Sequence, residues 1–245
     1  MISKNQIKYI HQLELKKFRK QEGLFIAEGH KVVGDLLKAG YTPKQLFATA
    51  EWIANNPASQ AIEVTNDELT RLSLLQHPQQ VLGLFPIPNT QHLSPNTQQL
   101  SILLDNVQDP GNLGTIIRIA DWFGIDTIFC SEGTVDAWNP KVVQATMGSI
   151  ARVHLIYIDP QQLFDSLPAD YPIYGTFLDG QNIYTETLTP NGLIVMGNEG
   201  NGISDAVRAR ISRKLLIPDF HQGDTADSLN VAIATAITCS EFRRR

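Results

Sequence analysis

The 245-residue sequence has little cysteine, no apolar run long enough to span a membrane, and no cluster of metal ligands. Its two cysteines, Cys130 and Cys239, each lie inside a short apolar stretch, so we expect buried, reduced thiols and a cytoplasmic location. The histidines are scattered, and no Cys/His set has zinc spacing. The segment MISKNQIKYI lacks the apolar core of a signal peptide. We therefore expect no metal site and no membrane segment.

Three familiar motifs for nucleotide binding and acyl transfer are also missing. The segment DPGNLG (109–114) lacks the G-x-G-x-x-G pattern of dinucleotide-binding folds. The segment GNEGNG (197–202) is not followed by the Lys-Ser/Thr pair of a P-loop. No serine lies in the G-x-S-x-G elbow of acyl-transfer enzymes. These absences argue against a nucleotide-binding oxidoreductase and against a serine hydrolase.

The net charge of −5 argues at first against a nucleic-acid partner, but the charge is unevenly distributed. Residues 1–44 contain nine Lys/Arg and four Asp/Glu, a net charge of +5, which leaves −10 for the remainder. A basic segment in an otherwise acidic protein can bind the phosphates of a nucleic acid. It can equally be a solvated helix face, so charge alone leaves both interpretations open.

Short apolar runs alternate with amphipathic helical patterns, which predicts an α/β fold. Ser3 followed by Gln6 predicts a capped helix that runs to about Lys20, and Asn66 is a candidate cap for a helix through Leu74. A segment rich in proline and small polar residues then predicts a linker. We divide the chain into a smaller N-terminal α/β domain at 1–88, a linker at 89–99 and a C-terminal domain at 100–245.

Two apolar runs in the last third end in loops of glycine and small polar residues. Leu193–Met196 is followed by GNEGNGIS, and Leu215–Ile217 is closed by Pro218. Both runs are too short for helices, so we expect buried strands, and ligands of open α/β sheets bind where such strands end. The loop glycines allow close backbone approach to a ligand. Polar side chains available there are Glu199, Ser228 and Asn230.

Three motifs occur in a fixed order: NLGTIIR (112–118), GNEGNGIS (197–204), and an Ile-Pro pair at 217–218 followed by SLNVAIATAI (228–237). Together they resemble the motifs of the SpoU/TrmH family, which belongs to the SPOUT class of S-adenosylmethionine-dependent RNA methyltransferases. The resemblance implies a C-terminal trefoil-knotted SPOUT domain and a homodimer with the site at the subunit interface. It also implies methyl transfer to a ribose 2′-hydroxyl of ribosomal or transfer RNA.

The N-terminal part resembles, more loosely, the RNA substrate-binding domain attached to many SpoU-type enzymes. The resemblance lies in FIAEGHKVVGDLLKAG (25–40) and QHPQQVLGLF (76–85). That domain is itself similar to a ribosomal-protein RNA-binding fold. Taken without the resemblance, Glu28 and Gly29 are typical of a strand-to-helix turn, and this is the better interpretation of the pair.

The resemblance implies site residues in all three motifs. The implied catalytic residues are Arg118, Asn112, Glu199, Ser228 and Asn230, and the implied backbone contacts to S-adenosylmethionine are at Gly197, Ile217 and Leu229. Taken singly, Arg118 is typical of a surface arginine near the start of its helix, and Asn112 and Ser228 are typical helix caps. Within the motifs, the functional interpretation is favoured for each.

Arginine keeps its proton at ordinary pH, so we interpret Arg118 as a cationic donor that stabilises the developing alkoxide. The proton acceptor, an RNA phosphate or water, stays open. One departure from the family pattern concerns the loop 219–227: Asp219 replaces the usual methionine and the loop is longer, which leaves its cofactor contacts open. The alternative function is a non-catalytic RNA-binding or ribosome-assembly protein that retains the fold. The presence of Arg118, Asn112 and Asn230 favours the enzyme.

Overall fold

The structure is a computed structural model that describes residues 2–90, 94–221 and 226–244. Its strands are β1 (Leu24–Glu28), β2 (Gln45–Ala48), β3 (Ile62–Glu63), β4 (Val81–Pro86), β5 (Leu100–Leu104), β6 (Thr127–Cys130), β7 (His154–Tyr157), β8 (Ile173–Asn182), β9 (Gly192–Met196) and β10 (Arg213–Leu216). Its helices are α1 (Lys4–Gln12), α2 (Lys16–Glu22), α3 (His30–Lys38), α4 (Ala50–Asn55), α5 (Asn66–Leu72), α6 (Pro110–Trp122), α7 (Pro140–Ala145), α8 (Pro160–Ser166), α9 (Asp205–Arg208) and α10 (Val231–Arg244).

The chain forms two compact units. Unit 1 contains the chain up to Asn89 together with Asp136–Arg152, and unit 2 contains Thr90–Val135 and the chain from Val153 onward. The segment Asp136–Arg152 therefore joins the first 89 residues, although it lies inside the stretch assigned above to the C-terminal domain. The division into domains at 1–88 and 100–245 stays a prediction. Within the predicted linker, residues 91–93 lie outside the described residues.

Unit 1 contains a four-stranded mixed sheet in the order β1-β4-β2-β3. Strand β4 is antiparallel to β1 and β2, whereas β3 pairs with β2 in parallel. The apolar faces of this sheet and of α1 and α5 share one core that includes Ile10, Phe47 and Leu82. Glu28 ends β1, and Gly29, with φ of 86°, leads into α3, so the pair forms the expected strand-to-helix turn.

The predicted N-terminal helix to Lys20 is wrong, because the structure divides it into α1 and α2. The capping box itself is confirmed: the Ser3 hydroxyl accepts from the Gln6 N–H at 3.2 Å, and the Gln6 side chain accepts from the Ser3 N–H at 3.0 Å. The break is stabilised by the Arg19 guanidinium, which donates to the carbonyl oxygens of Leu13 (2.8 Å) and Glu14 (2.6 Å). The last carbonyl groups of a helix have no intrahelical donor, so buried ones need a partner of this kind.

The cap predicted for α5 is also wrong by one residue. The Thr65 hydroxyl accepts from the Glu68 N–H at 3.2 Å, and the Glu68 carboxylate accepts from the Thr65 N–H at 3.1 Å. Threonine and glutamate at this spacing form a reciprocal capping box. Asn66 is therefore the first helical residue and not the cap.

The segment Asp136–Arg152 contacts the rest of unit 1 through one buried ion pair and through aromatic packing. Arg19 is 2% exposed, and its Nε lies 3.0 Å from Asp136 Oδ2. The rings of Phe25 and Trp138 lie 4.7 Å apart between centroids. Asp35 accepts from Lys31 and Arg152 at 2.9 and 3.0 Å. Apart from Lys31–Asp35, the partners lie more than 100 positions apart in sequence, so their contacts depend on the tertiary fold.

Unit 2 contains a six-stranded parallel sheet in the order β10-β8-β9-β5-β6-β7. Every residue of the central strands β5 and β9 is buried, as expected for a parallel sheet covered on both faces. This confirms the predicted α/β class with a parallel sheet; the trefoil knot stays a prediction.

Both cysteines are free and buried, as expected. Burial raises the pKa of each thiol to about 12. Among the described residues, no helix combines the length and the apolar character needed to cross a membrane.

Candidate active site

The loops of the first two motifs meet because their strands are parallel neighbours. The register pairs Leu104, at the end of β5, with Met196, at the end of β9. The loop after β5 leads through Asp109 into α6, and the loop after β9 contains Glu199. Both loops therefore leave the same edge of the sheet, where open α/β folds bind their ligands.

A continuous chain of hydrogen bonds joins all three motifs. Glu199 Oε1 accepts from Asn112 Nδ2 at 3.0 Å. Asn112 Oδ1 accepts from Asn230 Nδ2 at 2.9 Å. Asn230 Oδ1 then accepts from the N–H groups of Ala232 (2.9 Å) and Ile233 (3.3 Å) at the start of α10. The structure thus brings together three predicted catalytic residues, Asn112, Glu199 and Asn230.

The charge of Glu199 determines how this chain is oriented. Its carboxylate also accepts from the N–H groups of Gln108 (3.2 Å) and Asp109 (3.1 Å). Burial raises the pKa of Glu199, but the hydrogen bonds from Asn112 and from these backbone groups outweigh it and hold the pKa below its ordinary value. An ionised carboxylate can only accept, so Asn112 must turn its NH₂ toward Glu199 and its oxygen toward Asn230.

Further polar residues hold the two loops together, and the sequence analysis did not single them out. Asp105 is buried and accepts from the Ser204 N–H at 2.7 Å. The Asn198 side chain donates to the Asn106 carbonyl at 2.7 Å and accepts from the Gly200 N–H at 2.9 Å. The available signal was the density of Asp and Asn directly after two buried strands, where such side chains satisfy turn backbone.

The tight turn of the second loop explains why glycine occupies positions 197 and 202. A Cβ atom at Gly197 would lie 2.3 Å from the backbone carbon of Gly202, closer than any side chain tolerates. Gly202 itself has φ of 68°, a left-handed conformation that glycine adopts without strain. The two ends of the loop also exchange hydrogen bonds, between Asn198 and Gly202, at 2.9 and 3.0 Å. The loop is therefore a compact wall of backbone groups.

A cleft of about 620 Å³ lies in unit 2 against this loop. Its walls come from β8, the loop after β9, the end of β10 and the residues that precede and begin α10. Of the predicted site residues, those that line the cleft are Gly197, Glu199, Ile217, Ser228 and Leu229. Its volume and its mixture of apolar side chains with backbone N–H and C=O groups fit a cofactor of the size of S-adenosylmethionine.

Arg118 is not part of the hydrogen-bonded chain. It is exposed on α6 and forms no ion pair or hydrogen bond within the described residues. The expectation that it lies near the helix start is wrong, because α6 already begins at Pro110, capped by Asp109. Six residues at about 100° each place the Arg118 side chain roughly 120° around the helix from Asn112. Arg118 and Asn112 therefore point in different directions.

The remaining predictions concern the approach to α10. The helix begins at Val231 and is capped by Asn230, so Ser228 is not its cap; Ser228 is exposed beside the cleft. In the long loop, Asp219 accepts from the His221 N–H at 2.8 Å, and Asp224 lies outside the described residues. No group of three or more metal-ligating side chains occurs in the part of the chain that the structure describes.

Both parts of the chain are similar to known proteins. Residues 99–240 match the SpoU rRNA Methylase family, and residues 4–83 match the MRM3-like substrate binding domain. The chain is 31% identical over 247 residues to the 23S rRNA (guanosine(2553)-2′-O)-methyltransferase RlmP of Bacillus subtilis, covering 98% of this chain and 97% of that protein.

Two solved structures are similar over the whole chain. A TrmH-family protein from Porphyromonas gingivalis has a TM-score of 0.88 at 40% identity, covering 100% of this chain and 99% of that one. An AdoMet-bound rRNA methyltransferase from Sinorhizobium meliloti has a TM-score of 0.87 at 31% identity, covering 100% and 96%. These matches show an S-adenosylmethionine-dependent RNA methyltransferase of the SPOUT class. The chain belongs to the SpoU rRNA methylase family, so the resemblance stated above is confirmed.

Proposed function

We propose that this enzyme methylates a ribose 2′-hydroxyl of ribosomal RNA in the cytoplasm, with Arg118, Asn112, Glu199, Ser228 and Asn230 as its catalytic groups. The reaction class, 2′-O-methylation of RNA from S-adenosylmethionine, is that of the family. Ribosomal RNA is preferred over transfer RNA because the full-length relative RlmP is named for 23S rRNA. The observation that carries the proposal is the chain Glu199–Asn112–Asn230 at the edge of the cleft.

The cleft residues would hold the cofactor mainly through backbone groups. Bound S-adenosylmethionine supplies an activated methyl group. Gly197 contributes only its main chain to one wall of the cleft, because a side chain there would collide with Gly202. Ile217 and Leu229 provide apolar surface and main-chain groups on the opposite walls. By holding the cofactor, these residues would orient its methyl group for in-line attack by the ribose hydroxyl.

Arg118 is proposed to stabilise the charge that develops on the ribose oxygen. Its guanidinium stays protonated and carries several donors, and within the described residues it has no partner that would have to be displaced. Glu199 and Asn112 act differently: their mutual hydrogen bond keeps the start of α6 beside the second loop. Ser228 is exposed at the cleft, where its hydroxyl is available to contact the substrate ribose or its phosphate.

A homodimer is proposed because the site is incomplete within one chain. Arg118 does not line the cleft of its own chain and points away from Asn112. One turn further along α6, Trp122 is 85% exposed, and on α10, Ile233 is 52% exposed. Large apolar side chains exposed on two neighbouring helices mark an interaction surface. A second copy that covers these helices would bring its cleft to Arg118.

Mixed dimers test this arrangement directly. One chain carries Arg118→Ala and the other carries Ile217→Glu, which places a carboxylate in the cleft, and the two chains bear different purification tags. If Arg118 serves the cleft of the other copy, the mixed dimer has one intact site and about half of wild-type methyl transfer per dimer. Two inactive homodimers and an inactive mixed dimer would instead show that each chain uses its own arginine. A monomeric, active protein in light scattering would exclude the dimer altogether.

The overall activity is tested by incubating the protein with labelled S-adenosylmethionine and ribosomal RNA, then mapping ribose methylations. Incorporation at a single ribose, with an initial rate about 10²–10³ lower for the Arg118→Ala variant, is the expected result. A protein that binds ribosomal RNA but transfers no methyl group would be the non-catalytic RNA-binding protein that retains the fold.

A further inference from the structure

A shallow groove of about 490 Å³ follows the exposed side of α1 in unit 1. We call it the α1 groove; it is formed chiefly by Lys4, Lys8, His11, Gln12, Glu14 and Leu15. The groove is far in sequence from the cleft of unit 2, and no residue of it takes part in the methyl-transfer site. It is therefore a separate feature of the surface.

The positive charge of the α1 groove is not neutralised within the chain. Lys4 and Lys8 are exposed, and neither forms an ion pair or hydrogen bond in the described residues. A spacing of four residues places both on one face of the helix. Two other basic residues of unit 1 are paired instead: Arg19 is buried against Asp136, and Lys31 pairs with Asp35. Of the six groove residues, Glu14 alone is acidic, so the groove keeps a net positive charge.

An exposed apolar side chain lies beside these cations. Leu15 is 57% exposed in the short connection between α1 and α2. His11 Nε2 lies 3.1 Å from the Arg71 carbonyl oxygen, which holds the imidazole in place at the groove. Cations that contact phosphates and an apolar group that covers a sugar or base are a common combination in nucleic-acid interfaces.

We propose that the α1 groove docks the backbone of the substrate RNA, with Lys4 and Lys8 at phosphates and Leu15 against a ribose or base. The proposal rests on the function proposed above, in that the partner is the RNA that the enzyme methylates. RNA is favoured over an acidic protein because residues 4–83, which contain the groove, match a substrate-binding domain. The groove holds two of the nine Lys/Arg that give residues 1–44 their net positive charge on an otherwise acidic chain.

The test compares full-length variants in RNA binding over a range of salt concentrations. The double variant Lys4→Ala/Lys8→Ala should lose about tenfold or more in affinity at roughly 0.1 M salt, and its salt slope should fall by about 2. Lys4→Arg/Lys8→Arg should restore both. Leu15→Ser should weaken binding without changing the slope, since no charge is removed. The matched control is Lys38→Ala, which changes another exposed lysine of the same unit, on α3.

The outcomes separate this proposal from the proposed function. Unchanged RNA affinity and slope in Lys4→Ala/Lys8→Ala, with methyl transfer by the wild type intact, would overturn the groove and leave the function standing. A wild type that neither binds nor methylates RNA would overturn both. Loss of binding to polyglutamate but not to RNA would assign the groove to an acidic protein and overturn its role in RNA docking. Cofactor affinity should be the same in all variants.

Discussion

Replacing Arg118 with alanine should lower the rate of methyl transfer by about 10²–10³, the usual effect of losing one preorganised donor. This corresponds to about 2.7–4 kcal/mol of transition-state stabilisation. The fold should hardly respond, because Arg118 is exposed and has no partner within the described residues. Surface substitutions of this kind change stability by less than about 0.5 kcal/mol, or roughly 2 °C in melting temperature for a chain of this length.

The two effects can be measured on the same preparations. Single-turnover methyl transfer to ribosomal RNA reports the chemical step, and calorimetry with S-adenosylmethionine reports cofactor affinity. Arg118→Lys should recover only part of the rate, because an ammonium cannot reproduce the planar guanidinium fork. Arg210→Ala is the matched control, since Arg210 is also an exposed arginine of unit 2 and its partner Asp165 lies outside the cleft.

Two results would refute the reasoning. Near-normal turnover of Arg118→Ala would remove the arginine from the chemistry and weaken the motif-based assignment of Asn112. A large loss of cofactor affinity at an unchanged melting temperature would instead make Arg118 a binding residue, and the group that stabilises the alkoxide would have to be sought elsewhere.

Three further substitutions or treatments test other parts of the structure. Glu199→Gln should lower the melting temperature at pH 7. The difference from wild type should shrink as the pH falls below the ordinary carboxyl pKa of 4.5, because a depressed pKa stabilises the folded state only while the carboxylate is charged. A constant difference in melting temperature from pH 7 to pH 3 would contradict this. Cys130 and Cys239, each with a pKa of about 12, should not react with a thiol reagent at pH 8 until the protein is denatured, when both react; rapid native labelling would show that a thiol is accessible. Arg19→Ala should cost about 3–5 kcal/mol in denaturant unfolding, since it leaves Asp136 unpaired beside the core, whereas Lys31→Ala, at an exposed lysine, should cost far less.

Local patterns were sufficient to predict several elements of the fold. The short apolar run Leu193–Met196, bounded by glycines, identified β9, since a buried parallel strand is apolar along its whole length. The Ser3/Gln6 pattern predicted the start of α1 correctly because a capping box involves only four neighbouring residues. The end of α1 was missed because it depends on Arg19, whose guanidinium binds the carbonyls of the break from the following helix.

The sequence by itself predicted which residues form the site, because three short motifs in a fixed order resemble those of the family and contain Asn112, Glu199 and Asn230. Only the tertiary structure decided how they meet: Asn112 lies 87 positions from Glu199 and 118 from Asn230, and no local periodicity relates positions so far apart. The same holds for Asp136–Arg152, which the chain order assigns to the C-terminal half and the contacts of Arg19 and Phe25 assign to unit 1. Strand order and long-range hydrogen bonds follow from packing the whole chain, whereas helix periodicity and loop chemistry follow from a few consecutive residues.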